Sequence, residues 1–211
     1  SAQAVSDTCV FAHSTNRVNL GENLYTYQSS AQVSFAGKGK AASDSWADEF
    51  QQFGWADINL TQAAFNTGIG HATQMAWAKS TKIGCGMTLC QAGKQVIVAC
   101  QYRDQGNYLN QNVYPPAPDP LATTTTTTAA PSLCSGGIPS SEVQGFIDSH
   151  NALRRSISAG TYVAKGKLMP AASVAIPDLT YDCSIEASAQ AVSDTCVFAH
   201  STNRVNLGEN L

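Results

Sequence analysis

The chain has 211 residues, 43% of them apolar, enough to bury a substantial core, and a formal charge of −3. That balance excludes the basic footprint of a nucleic-acid or anionic-membrane binder, and the longest clearly apolar run, VIVAC at 96–100, is far too short to cross a bilayer. No nucleic-acid partner and no transmembrane segment are expected, and because Ser1 opens neither with Met nor with a signal peptide, an export signal is expected upstream or already removed.

Residues 1–24, SAQAVSDTCVFAHSTNRVNLGENL, return unchanged as residues 188–211. So long a match sets a period of about 187 residues, the size of a domain rather than of a solenoid unit. The second copy begins within SIEASAQAVSDTCVFAHS, 184–201, which reads as one Ala-rich helix, so Ser1 corresponds to a helix interior. GENLYTY at 21–27 reads as a strand. GKGK at 37–40 lacks the frame of a phosphate loop and reads as an exposed turn. A helix is expected over 41–53, stopped by Gly54, with Ala42, Trp46, Glu49, Phe50 and Phe53 on one face. Another starts after Gly70 with HATQMAWAKS.

Two runs, IGCGMTLC at 83–90 and QVIVACQY at 95–102, form a hairpin signature around Gln91 to Lys94. In that register Cys85 faces Cys100, close enough for a disulfide, while Cys90 points to the other face and needs another partner. PPAPDPLATTTTTTAAP at 115–131 holds five of the eight prolines and six consecutive threonines, the composition of an extended, O-glycosylation-prone linker and hence of a domain boundary. Beyond it a helix is expected after Pro139, with Ser141 and Gln144 in a capping box, Val143, Phe146, Ile147 and Leu153 facing the core, and Gly160 at its end.

Seven cysteines point to disulfides, and because Cys9 and Cys196 share one place in the repeat, six distinct positions make three bridges. Cys183 and Cys196 would lie about 20 Å apart along a helix and cannot bridge each other. Cys90 therefore takes one of them and Cys134 the other. Asn59-Leu60-Thr61 adds an N-glycosylation sequon at Asn59.

Glu49 lies within an apolar helical stripe, where a carboxylate needs a partner. His71 opens the next helix with a ring nitrogen available as a ligand. His13 and Glu22 flank the short loop of AHSTNRVNLGEN, so two imidazoles and two carboxylates are placed to converge in one cleft.

GHATQMAW (70–77) and VIVACQYRDQGNYLNQNVY (96–114) resemble the two signature motifs of the CAP superfamily, the cysteine-rich secretory, antigen-five and pathogenesis-related proteins. The resemblance extends through HSTNRVNLGENLY (13–25), SWADEF (45–50), SHNALR (149–154) and LTYDC (179–183), and looks most like the activation-associated secreted, venom allergen-like proteins of parasitic nematodes. It implies an α+β fold, a three-layer α-β-α sandwich around a central antiparallel sheet. The cleft tetrad it implies is His13, Glu22, Glu49 and His71, with His200 and Glu209 as second-copy equivalents, and with His13, His71 and His200 as metal ligands. It favours Cys85 with Cys100 and Cys90 with Cys9 or Cys196, leaving Cys134 with Cys183. The chain departs from the family pattern at Ala72, where a bulky residue is usual, which would widen the cleft wall.

On this reading residues 1–114 are the C-terminal part of a CAP domain, entered inside its second helix. Residues 115–133 are the Pro/Thr-rich linker, and 134–211 the N-terminal part of a following CAP domain. The chain is thus expected to be a slice through tandem domains. Extended, the linker reaches roughly 60 Å, enough for 134–187 to complete the front part as a circular permutant, with one copy of the repeat in surplus. The two copies compete, and the sequence does not choose between them.

The implied function is a secreted, extracellular, non-enzymatic binding or host-interaction module of immunomodulatory kind, whose cleft takes zinc or another divalent cation. Its partner is an unidentified host or extracellular protein. A zinc-dependent hydrolase, with Glu22 or Glu49 activating water, is the first alternative. A sterol or lipid carrier is the second, although LTQAAFNTGIG at 60–70 offers only Phe65 as an aromatic contact.

Overall fold

The computed structural model describes residues 19–117, 134 and 137–196. A four-stranded sheet lies at the centre, built from β1 (Gly21–Gln28), β2 (Lys82–Cys90), β3 (Gln95–Arg103) and, further along the chain, β6 (Thr180–Tyr181), in the order β1-β3-β2-β6. The first three are antiparallel, and β6 joins β2 in parallel. Strand β3 is buried along all but its last residue, which is why VIVAC reads as a continuous apolar run rather than an alternating one.

The alternation shows in what each face touches. Val96, Val98, Cys100 and Tyr102 join the main core with α1 (Lys38–Gln52), α3 (Gly70–Ala76) and α4 (Ser140–Ser158). Leu24 and Ala99 instead meet Ala189 and Val192 of α5 (Cys183–Ser193) on the opposite face. Three layers result, a helix, the sheet and a group of helices, in an α+β fold. A short α2 (Gln62–Phe65), capped by the Thr61 hydroxyl, and a two-stranded hairpin of β4 (Val163–Ala164) and β5 (Lys167–Leu168) complete the elements.

The hairpin register is as expected: Cys85 stands opposite Cys100, and the two are disulfide-bonded. Cys90 bridges Cys196 and Cys134 bridges Cys183; Cys9 lies outside the described residues. Glycine lets α5 lie directly on β2. A Cβ added at Gly84 would stand 2.1 Å from the Glu186 backbone nitrogen, and one at Gly86 2.3 Å from Gln190 Cα. The Gln190 side-chain amide then pairs with both backbone groups of Met87, as a neighbouring strand would, at 2.9 Å each.

Helix ends differ from the sequence reading for identifiable reasons. The helix after Pro139 starts at Ser140, which puts Ser141 inside the first turn where it cannot cap, and Gln144 donates to Asp148 instead. The capping carboxylate there serves another helix: Glu142 accepts from the backbone N–H groups of Gly37 and Gly39, at 2.8 and 2.7 Å, closing the N-terminus of α1. GKGK thus holds an anion, and the anion is the chain's own. Phe53 falls just past the end of α1 and is 48% exposed, off the apolar stripe, with its ring over Gly68.

Helix α5 is also shorter than the expected 184–201. Asp182 caps its start, it ends at Ser193, and Cys196 adopts φ 53° on the way to its bond with Cys90. Of the two repeat copies, the described structure takes β1 from the first, beginning at Gly21, and α5 with Cys196 from the second.

Candidate functional site

Glu49 sits on α1 between the buried Trp46 and Phe50, and its carboxylate turns toward the first turn of α3. Oε1 lies 2.5 Å from His71 Nδ1, and Oε2 accepts the Ala72 backbone N–H at 3.0 Å. Both carboxylate oxygens are therefore engaged. The carboxylate accepts the Nδ1 hydrogen, so in the neutral imidazole the lone pair is on the second ring nitrogen, Nε2. That Nε2 is buried and has no hydrogen-bond partner among the described residues. The Trp46 indole stacks on the imidazole, centroids 6.0 Å apart and planes within 15°.

The backbone behind His71 is held from two sides. Asn23 of β1 donates through Nδ2 to the His71 carbonyl and to the Tyr102 hydroxyl, each at 3.1 Å. The Tyr102 hydroxyl is 2.7 Å from His150 Nε2, and His150 Nδ1 is 2.7 Å from the Phe146 carbonyl. Since a carbonyl can only accept, every hydrogen in this buried chain has one assignment: Asn23 to Tyr102, Tyr102 to His150, His150 to Phe146. Burial pushes the His150 imidazole down to about 3, so it is neutral. From the other side, Thr73 donates to Asn107 at 2.7 Å, and Asn107 donates to the Gly70 carbonyl at 2.8 Å.

Helix α3 stops at Ala76 rather than running through AWAKS, because Arg154 collects its end. The fully buried guanidinium donates to the carbonyls of Met75, Trp77, Ser80 and Pro177 at 2.7 to 3.0 Å. Three of those oxygens belong to the end of α3 and the turn after it, where backbone acceptors lack helical partners. Burial lowers the Arg154 pKa to about 9, which still leaves it charged at neutral pH.

Comparison with known proteins places this arrangement. The family model of the cysteine-rich secretory protein family, CAP, matches residues 1–102. The Golgi-associated plant pathogenesis-related protein 1 of Homo sapiens is 32% identical over 122 residues, which cover 54% of this chain and 71% of that protein. The chain belongs to the CAP family. Among other CAP relatives, the Ancylostoma secreted protein of Ancylostoma caninum is 38% identical over 112 residues, covering 50% of this chain and 26% of that protein. The solved structure of BmVAL-1 is 38% identical, covers 54% of this chain and 58% of its own, and superposes with a TM-score of 0.47. The chain thus spans about a quarter of the length of the Ancylostoma relative.

Of the four cleft residues expected from the sequence, Glu49 and His71 meet directly. Glu22 is buried on β1 and accepts from Gln101 at 2.6 Å, on the sheet face that Leu24 and Ala99 share with α5. His13, His200 and Glu209 lie outside the described residues. Among the described residues no group of three or more His, Cys, Asp and Glu side chains is placed to hold a metal. What the described residues offer a cation is one nitrogen donor, the unpartnered Nε2, on a ring oriented by a carboxylate at its other nitrogen. That is the usual setting of a metal-ligating histidine.

Ala72 is fully buried in the apolar core. Asn59 is partly buried, its amide bonded to Asn112 at 3.2 Å, while the sequon hydroxyl of Thr61 caps α2. Sequence reasoning gave no role to Asn23, Tyr102, His150 or Arg154. The last two stand in the SHNALR motif, one helical turn apart, and a histidine and an arginine at that spacing on an otherwise apolar face were the available signal.

Proposed function

We propose that this CAP chain is a secreted binding or host-interaction module, without catalytic turnover of its own, whose His/Glu cleft takes a divalent cation. The observation that carries the reading is the buried His71 Nε2, left with a bare lone pair by the Glu49 carboxylate on Nδ1. His71 would hold zinc through that nitrogen and Glu49 would orient the ring. His13 or His200 is the further ligand the family pattern proposes, whereas Glu22, on the α5 face of the sheet, is not placed beside His71. Zinc suits a neutral imidazole and would supply a charged, ligand-recognising centre.

Two observations favour binding over hydrolysis and lipid carriage. Both oxygens of Glu49 are committed to His71 and Ala72, so the nearest carboxylate is not placed to activate water. Phe65, the aromatic residue of the 60–70 loop, packs against the core rather than lining a lipid groove. Three disulfides suit an oxidising, extracellular setting, and relatives named as secreted proteins support the same compartment.

Calorimetric zinc titration of the purified chain is expected to show a single site that His71→Ala abolishes and Glu49→Ala weakens by about tenfold or more. Hydrolysis of peptide or ester substrates that disappears in His71→Ala would sink the binding reading and leave the hydrolase.

A further inference from the structure

The side chains that hold the second half of α5 to the sheet belong to the repeated stretch. Ala189 and Val192 are buried against Leu24 and Ala99. The Gln190 amide pairs with both backbone groups of Met87 at 2.9 Å each. Asp194 accepts from the Thr88 hydroxyl at 2.6 Å, Ser193 lies 3.0 Å from the same hydroxyl, and Cys196 is bonded to Cys90. The same residues stand at Ala2, Gln3, Val5, Ser6, Asp7 and Cys9, at the same spacing, and spacing is what puts them on one helix face. Residues 2–9 lie outside the described residues, but the seat that α5 occupies lies within them. That seat is complementary, by identical chemistry, to two stretches of this chain.

The first copy is tethered within reach of it. Gly21 stands opposite Tyr102, and Gln28 stands opposite Gln95, which also faces Cys90, so Cys90 and Gly21 lie at opposite ends of the sheet. The length of β1 and two strand spacings separate them by about 26 Å. The twelve residues from Val10 to Gly21 extend to about 40 Å. What favours the second copy in the structure precedes the copied stretch: Asp182 caps α5, Ile185 is buried and Cys183 bridges Cys134. From Ala189 onward the two copies offer the seat the same contacts.

We propose that residues 2–9 are a second occupant of the α5 seat, and that Cys9 exchanges with Cys196 for the bond to Cys90. The Cys9 thiolate attacks Cys90 Sγ; the Cys9–Cys90 bond forms as the Cys90–Cys196 bond breaks. Cys196 leaves as a thiolate and takes up the proton that Cys9 gave, so no oxidant or reductant is consumed. The exchange moves the bond that ties α5 to β2 onto the segment leading into β1. It does not rest on the cation reading above.

The test follows the thiols of the full chain. Held at about pH 5, where thiolate is scarce, the parent is expected to take a maleimide label at Cys9 alone. After incubation at about pH 8.5 with no added thiol or oxidant, roughly a tenth or more of the chains should carry the label on Cys196 instead. Trypsin tells the copies apart, because Cys9 falls in the peptide ending at Arg17 and Cys196 in 168–204. Label confined to Cys9 at both pH values overturns the proposal, as does a Cys9–Cys196 bond or a covalent dimer.

Two variants separate a seated copy from a merely reactive thiol. Cys196→Ser is expected to leave no free thiol, with Cys9 bonded to Cys90; Cys9 and Cys90 both free would overturn the exchange. Val5→Asp puts a charge at the counterpart of the buried Val192. It should block the pH-driven exchange in the parent while leaving its Tm within about a degree, since the second copy holds the seat there. Exchange that proceeds unchanged in Val5→Asp overturns the seat, and this comparison stands even if Cys196→Ser fails to fold.

Discussion

His150 is the residue whose chemistry is easiest to interrogate. Its neutral imidazole accepts from Tyr102 and donates to Phe146, and burial lowers its pKa from 6.5 to about 3. A folded-state pKa below the unfolded one means that the unfolded chain binds the proton first. Stability from this group is thus fully present above about pH 6.5 and lost as pH falls toward 3, at up to about 1.4 kcal/mol per pH unit. Asp182, held down to about 2 by Ser184, Lys82 and the start of α5, acts only below its ordinary 3.8, so the window from about 4 to 6.5 is distinct from it. Urea unfolding across that window should show a slope in the parent chain that is reduced in His150→Gln; equal slopes would contradict the assignment. Arg154 makes a second residue-scale prediction. Removing it strands three buried carbonyls and the part-buried one of Pro177, so Arg154→Met is expected to cost about 3 kcal/mol or more in urea unfolding, and a neutral result would contradict its role as the clip on α3.

Among elements, the contact of α5 with β2 depends on two glycines facing backbone rather than flexible side chains. Gly86→Ala is expected to lower stability by about 1–3 kcal/mol, because the Gln190 Cα cannot move without lifting the whole helix. Ala at Gly137, where added bulk meets open space, is the comparison for effects outside that contact, although its φ of 90° adds backbone strain of its own. Equal losses at both positions would refute the close-packing account. At this scale the sequence was legible wherever one pattern settled one element. The loop from Gln91 to Lys94 set the β2–β3 register, in which Cys85 faces Cys100, and Gly54 marked the end of α1 to within a residue or two. It was least legible where an end is decided by a distant group: α3 by Arg154, α1 by Glu142, and α5 by the bond from Cys196 to Cys90. No local pattern encodes those partners, because each arrives from across the Pro/Thr-rich stretch.

Over the whole molecule, residues 137–196 supply α4, β6 and α5 to a sheet whose other strands come from residues 19–117. The site inherits that arrangement, since His71 is carried on a helix whose end is held by Arg154 and whose backbone is tied through Asn23 and Tyr102 to His150. We propose that the two segments form one body joined through Cys90–Cys196. Protease cleavage within 118–133 is then expected to leave a single species on a non-reducing gel, which separates into two on reduction. Separation without reductant would contradict the pairing. Family membership and the Glu49–His71 pair were legible from motifs, whereas the tautomer of His71 was not, because it depends on which carboxylate oxygen the fold brings to which nitrogen. That tautomer carries the functional account, and nitrogen-detected NMR of the imidazole reads it directly. The account predicts a protonated Nδ1 and a bare Nε2 whose resonance moves on adding zinc; a protonated Nε2, indifferent to zinc, would contradict it.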